Sequence, residues 1–164
     1  MILIERFFMK TVHHKLSVLF IGSVQFSEEA LKVLLKLKSE QISVVGIITK
    51  SESNFNNDHV SLIPYGKSED IPTLDVNVNN DILSFTRELV PDVIFCFGWS
   101  HLLPKEILTI PPKGVIGFHP SELPKNRGRH PIIWALALGL DKTASTFFKL
   151  DETADSGPIL CQEI

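Results

Sequence analysis

His119 follows directly on the apolar run Val115-Ile116-Gly117-Phe118, and Pro120 stops any further pairing. A histidine at the carboxyl end of a buried strand can take or give a proton near neutral pH. Taken alone, an imidazole hydrogen-bonded within its loop is the plainer account. Asp155 stands in Asp151-Glu-Thr-Ala-Asp155-Ser-Gly157, an acidic turn between two strand-like runs. By itself it reads as a solvated turn carboxylate, since Asp and Gly favour turns. If the two loops meet, the carboxylate would orient the imidazole. Arg127-Gly128-Arg129 puts two guanidiniums in a flexible loop, which suits an anionic substrate as well as it suits a basic surface turn. Trp99, Leu102 and Leu103 offer flat apolar surface for a planar ring, or packing for a sheet edge.

The elements that must position these residues alternate. Ser17 to Gly22 is a continuous apolar run ending in glycine, as a buried parallel strand reads. Phe26, Ala30, Leu31, Val33, Leu34 and Leu37 then recur at helical spacing, with Ser27 as the expected N-cap. Ile42 to Thr49 is a second strand, which completes a right-handed βαβ unit. Lys50 to Tyr65, rich in Ser and Asn, reads as a loop. A short strand over 71–74, a helix over 81–90 stopped by Pro91 and a strand over 92–97 follow. The spacing then predicts a short helix over 104–108, a strand over 114–118 and a helix over 131–138. Two last strands are expected over 143–150 and from Pro158 onward.

This order predicts an α/β fold, an open, mostly parallel sheet with helices on both faces. Ligands bind beyond the carboxyl ends of the strands of such sheets. The loops 98–104, 119–130 and 151–157 are therefore the candidate site. Residues 1–15 read as an N-terminal extension and 16–164 as the domain.

Composition narrows the function classes. The chain has 164 residues, 44% hydrophobic and 21% charged, which suits one globular core. A net charge of −3 gives no broad basic field for a phosphate backbone. No apolar run approaches a membrane span, and the charged start is unlike a signal peptide, so a cytoplasmic protein is expected. Cys96 and Cys161 sit in apolar runs and read as buried free thiols. The six histidines do not fall into metal-ligand spacing, so no metal is expected. The glycine spacing of a dinucleotide fingerprint or P-loop is absent, as is a nucleophile elbow.

Four separated segments, in order, resemble one family. Gly117-Phe-His-Pro-Ser-Glu-Leu-Pro-Lys-Asn-Arg-Gly-Arg-His-Pro131 is similar to the central signature of the formyltransferases that use 10-formyltetrahydrofolate. Leu150-Asp-Glu-Thr-Ala-Asp155-Ser-Gly157-Pro-Ile-Leu160 resembles their second signature. Phe97-Gly-Trp-Ser-His-Leu-Leu-Pro104 looks like the loop lining the folate pocket, and Leu19 to Phe26 like the opening strand. The resemblance implies a Rossmann-like domain that moves a formyl group from 10-formyltetrahydrofolate to a primary amine. It implies His119 and Asp155 as catalytic residues. Phe97, Gly98, Trp99, Leu102, Leu103 and Asp151 would bind the folate; Ser121, Arg127, Gly128 and Arg129 would bind the acceptor.

Two departures qualify it. The family's third catalytic residue, an asparagine two positions before the histidine, falls on Gly117. Losing such a donor typically costs about 10²–10³ in rate unless another group replaces it; Ser121, Asn126 and His130 are in reach by sequence. The chain also ends just after the second signature. That predicts a sheet truncated at its C-terminal end, or an oligomer covering that face. Arg127-Gly-Arg-x-Pro131 looks more like the amino-sugar formyltransferases, so a nucleotide-linked amino sugar is the expected acceptor. Methionyl-tRNA is the alternative, although acidic charge disfavours nucleic acid. A formyltetrahydrofolate hydrolase and an inactive folate-binding remnant are further alternatives.

Overall fold

Strand β1, Leu16–Ile21, is buried along nearly its whole length, and the rest of the sheet is laid out around it. In this computed structural model residues 15–37, 41–54 and 57–164 are described. The extension expected over 1–15 lies outside them except for Lys15. Chain order continues with helix α1 (Gln25–Leu37), β2 (Ile42–Thr49), α2 (Ile63–Glu69), β3 (Thr73–Asp75) and α3 (Ile82–Leu89). It then runs through β4 (Val93–Cys96), α4 (Lys105–Leu108), β5 (Val115–His119), α5 (Pro131–Ala137), β6 (Ser145–Lys149) and β7 (Ile159–Glu163).

The seven strands form one sheet in the order β3-β2-β1-β4-β5-β6-β7. β1 to β5 pair parallel; β5 with β6 and β6 with β7 pair antiparallel. Between β1 and β4 the strand order reverses direction. That crevice is where an open α/β sheet presents its loops to a ligand.

Strand alternation sends successive side chains to two separate cores. Val18, Phe20, Val93, Phe95 and Ile116 pack on one face with Leu31 and Leu34 of α1, and Tyr65 of α2 joins them. Leu19, Ile21, Ile94, Cys96 and Val115 pack on the other with Ile107 of α4 and Leu83 and Phe85 of α3. Each fully buried Leu or Ile contributes about 1.5–3 kcal/mol of hydrophobic stabilisation before entropy is subtracted. Helices thus cover both faces of β1 to β4. Helix α5 behaves differently and buries none of its residues. Ile132, Ile133, Trp134 and Leu136 are all more than half exposed.

Two local expectations are corrected. The polar stretch read as a loop to Tyr65 contains the start of α2. Leu62, fully buried, and Tyr65 fasten this helix to the sheet, so tertiary packing decides what a short, weakly periodic segment does not announce. Ser27 is not the N-cap of α1, which begins at Gln25. Its buried hydroxyl accepts from the Val24 N–H at 3.3 Å and donates to the Phe97 carbonyl at 2.6 Å, tying the turn after β1 to the end of β4. Among the described residues no helix is long and apolar enough to cross a membrane.

Candidate active site

The register of β5 places the central residue. Val115, Gly117 and His119 lie on one face by strand alternation, and Val115 belongs to the core that includes Cys96 and Leu103. His119 is the last residue of the strand, not the first beyond it, and is only 6% exposed. Its Nε2 lies 3.1 Å from the Asn126 carbonyl oxygen. A carbonyl can only accept, so Nε2 carries the proton and, in the neutral ring, Nδ1 is the basic nitrogen. That nitrogen faces Asp155, with 3.7 Å to Oδ1.

Asp155 reaches His119 by an indirect route. β6 runs antiparallel to β5 and ends with Lys149 opposite Ile116, at the far end from His119. Residues 150–157 then loop back along the sheet face. The loop closes on its own base, because Lys149 N–H donates to the Pro158 carbonyl. Gly157 is required there: a Cβ would collide with the Lys149 carbonyl oxygen. Asp151 braces the loop, its Oδ1 accepting from Thr153 N–H at 2.9 Å and Ser156 Oγ at 2.7 Å. The Ser156 hydroxyl, then the Thr153 amide and the nearby Arg127 charge, hold the Asp151 pKa below its usual value. Asp155 itself has φ +52°, a left-handed backbone. Its Oδ2 accepts the Gly128 N–H at 2.9 Å, so one carboxylate contacts both His119 and the basic loop.

These loops enclose a cleft of about 560 Å³. Among the residues expected at the site, Gly98, Trp99, Leu102, Leu103, His119, Gly128, Arg129, Asp151 and Asp155 line it. Three others do not. Phe97 is buried among Phe20, Phe95 and Phe147 on the opposite core. Ser121 is 1% exposed; its hydroxyl donates to the Lys125 carbonyl at 3.0 Å, and its carbonyl accepts from Thr146 Oγ at 2.6 Å. Arg127 is exposed and lies beside Asp151 outside the wall. Ser121 therefore shapes the loop from within, and Phe97 supports the Gly98–Trp99 wall from behind.

Sequence reading missed several participants. Leu150 lines the cleft and fills the space in front of Gly117. A Cβ at Gly117 would stand 2.5 Å from Leu150 Cδ2 and 3.3 Å from Phe148 Cε1. His101, on the same wall, has its Nε2 2.9 Å from Lys50 Nζ. Burial, then the Lys50 and Arg129 charges, push the His101 pKa below its usual value. Lys50 also stands over the Trp99 ring at 5.1 Å from its centre. Lys50 lies about fifty positions from His101 in the chain, and no local pattern links them. Cys96 lines the cleft floor, with burial pushing its thiol up to about 12. Among the described residues no three His, Cys, Asp or Glu side chains are grouped to hold a metal ion.

A family model described as "Formyl transferase" matches residues 15–164, almost the whole chain. The chain belongs to the formyl transferase family. Methionyl-tRNA formyltransferase of Syntrophus aciditrophicus is 32% identical over 155 residues, covering 91% of this chain and 49% of that protein. The chain thus spans about half the length of the curated relatives it matches. Phosphoribosylglycinamide formyltransferase from Bacillus halodurans superimposes with a TM-score of 0.74 at 22% identity, covering 90% of this chain and 78% of that one. A sugar 3N-formyl transferase, solved in the presence of dTDP and 5-N-formyl-THF, gives 0.65 at 18% identity, covering 92% of this chain and 52% of that one. At these identities the two structures speak for the shared fold, and the family membership rests on the sequence match.

Proposed function

We propose that this chain transfers a formyl group from 10-formyltetrahydrofolate to a primary amine, with His119 and Asp155 as its catalytic residues. The observation that carries the reading is the pairing of His119 Nδ1 with Asp155 Oδ1, 3.7 Å apart on the wall of a cleft of about 560 Å³. The folate is a second substrate here, consumed in each turnover, and it supplies an activated formyl carbon. Trp99, Leu102 and Leu103 offer the apolar wall that a flat ring system requires, and Asp151 a polar group beside it.

The chemistry follows from proton bookkeeping. As the amine bonds to the formyl carbon, its nitrogen becomes acidic and the formyl oxygen gains charge. The Nδ1 lone pair of His119 takes that nitrogen's proton in this reading, since Nε2–H donates to the Asn126 carbonyl. Asp155 Oδ1 stabilises the imidazolium so formed. The proton then passes to the leaving folate nitrogen, which restores the neutral ring.

For the acceptor, the proposed class is a nucleotide-linked amino sugar. Arg129 on the cleft wall and Arg127 just outside it suit a diphosphate. The likeness in fold to the sugar 3N-formyl transferase is compatible with that. Methionyl-tRNA is the second reading, favoured by the 32% identity to the Syntrophus enzyme. Incubation with 10-formyltetrahydrofolate and a panel of nucleotide-linked amino sugars and aminoacyl-tRNA, following free tetrahydrofolate, separates them. Turnover with a sugar amine that His119→Ala abolishes is the expected result. Wild-type activity in the alanine variant would refute the site. Formate release without any amine would identify a hydrolase.

A further inference from the structure

An oxyanion forming on the formyl carbon needs a hydrogen-bond donor in the cleft, and the residue two positions before His119 is a glycine. Gly117, the neighbour of His119 on the same face of β5, contributes none, and Leu150 occupies the space in front of it. Ser121 and Asn126 are not on the cleft wall, and the Ser121 hydroxyl is spent on Lys125. His101 is engaged by Lys50, and Asp151 by its own loop. Arg129 has an interaction of its own.

His130 is left. It lines the same cleft as His119, is exposed, and its side chain makes no hydrogen bond or ion pair among the described residues. The backbone on both sides is held. Two residues earlier, Gly128 N–H is bound by Asp155 Oδ2, and immediately after, Pro131 starts α5. His130 itself takes φ +57° and ψ +47°, a conformation uncommon for a residue with a Cβ. The carboxylate beside His119 therefore also anchors the loop two residues before His130.

We infer that His130 donates the hydrogen bond to the oxyanion that Gly117 cannot supply. The inference rests on the formyl-transfer reading above. In the step concerned the amine lone pair forms the new C–N bond, and the carbonyl pair moves onto the formyl oxygen. The imidazole N–H of His130 meets that oxygen. When the pair returns, the bond to the folate nitrogen breaks, and the proton taken by His119 goes to that nitrogen. His130 ends the cycle as it began.

Steady-state turnover of the full chain with 10-formyltetrahydrofolate and its amine tests this. His130→Ala is expected to lower kcat by about 10²–10³ while KM for the folate changes only a few-fold. His130→Asn tolerates the left-handed backbone and keeps a donor, so it should recover at least about tenfold of that loss. His130→Gly relieves the backbone but offers no donor, and should remain as slow as alanine. If the alanine variant fails to fold, the Asn and Gly variants decide between them. A glycine variant as fast as wild type would overturn the inference and leave formyl transfer standing. A wild-type chain that binds 5-formyltetrahydrofolate but turns over with no amine would overturn the transfer reading, and the inference with it.

Discussion

Asp155 holds the Gly128 N–H at 2.9 Å with one carboxylate oxygen and faces His119 with the other. The carboxylate thus has a positional duty toward the 119–130 loop as well as an electrostatic one toward the imidazole. Substitutions at this residue separate the two. Asp155→Asn keeps an acceptor for Gly128 but removes the charge, and turnover should fall by about 10²–10⁴ with folate affinity little changed. Asp155→Ala loses both, so the amides of 126–130 should exchange faster by hydrogen–deuterium mass spectrometry. Equal exchange in the two variants would remove the positional duty.

Leu150 and Gly117 make a coupled pair. Gly117→Asn forces a Cβ to within 2.5 Å of Leu150 Cδ2 and should destabilise the fold by about 1–3 kcal/mol. In a chain of this size that is a Tm loss of roughly 2–12 °C. Leu150→Ala in the same chain should return part of it, giving a non-additive double-mutant cycle. Strict additivity in thermal melts would show that the two side chains do not compete for one space.

Cys96 should be inert. Its thiol is pushed up to about 12 by burial, so almost no thiolate exists at neutral pH. Cys161, also raised by burial but only partly covered, should label first with a maleimide. Cys96 should label at a comparable rate only after denaturation. Rapid labelling of both in the native chain would contradict this packing.

His101 gives a pH signature. Burial, Lys50 and Arg129 all favour its neutral ring, so its folded pKa lies below the unfolded value near 6.5. The unfolded chain then binds the proton more readily. The stability contributed is complete above that unfolded value and is lost as pH falls through the lowered folded one. An NMR titration should place the His101 midpoint below 6.5. Lys50→Ala should raise it only partway, since burial is the largest cause. A midpoint unchanged by Lys50→Ala would remove the contact.

Much of this was legible in the chain. The apolar runs at 17–22, 42–49, 92–97 and 114–118 announced buried parallel strands, because such strands are covered on both faces, and the strands stand at Leu16–Ile21, Ile42–Thr49, Val93–Cys96 and Val115–His119. Asp155 converges on His119 and Gly128 although it comes from a separate loop, which spacing alone could suggest but not measure. Other features had no local signal. Helix α2 depends on Leu62 and Tyr65 finding the core. The antiparallel turn of β6 carries Asp155 to His119 from the opposite end of β5. Ser121 looked available by sequence, yet the fold turns its hydroxyl inward to Lys125. Leu150 in front of Gly117 is a contact between distant positions that no periodicity encodes.

Helix α5 leads directly out of the loop that carries His130, and none of its residues is buried. Seven residues are too few to hold a helix by backbone bonding alone, since the nucleation cost is repaid mainly by packing. Its local opening free energy should therefore be the smallest of the helices, and its amides the first to exchange. Fraying that begins at Trp134 would travel back through Pro131 to the cleft rim. Amide protection in this one helix is therefore a gauge of how firmly the adjoining histidine is held, and it should rise when the cleft is filled.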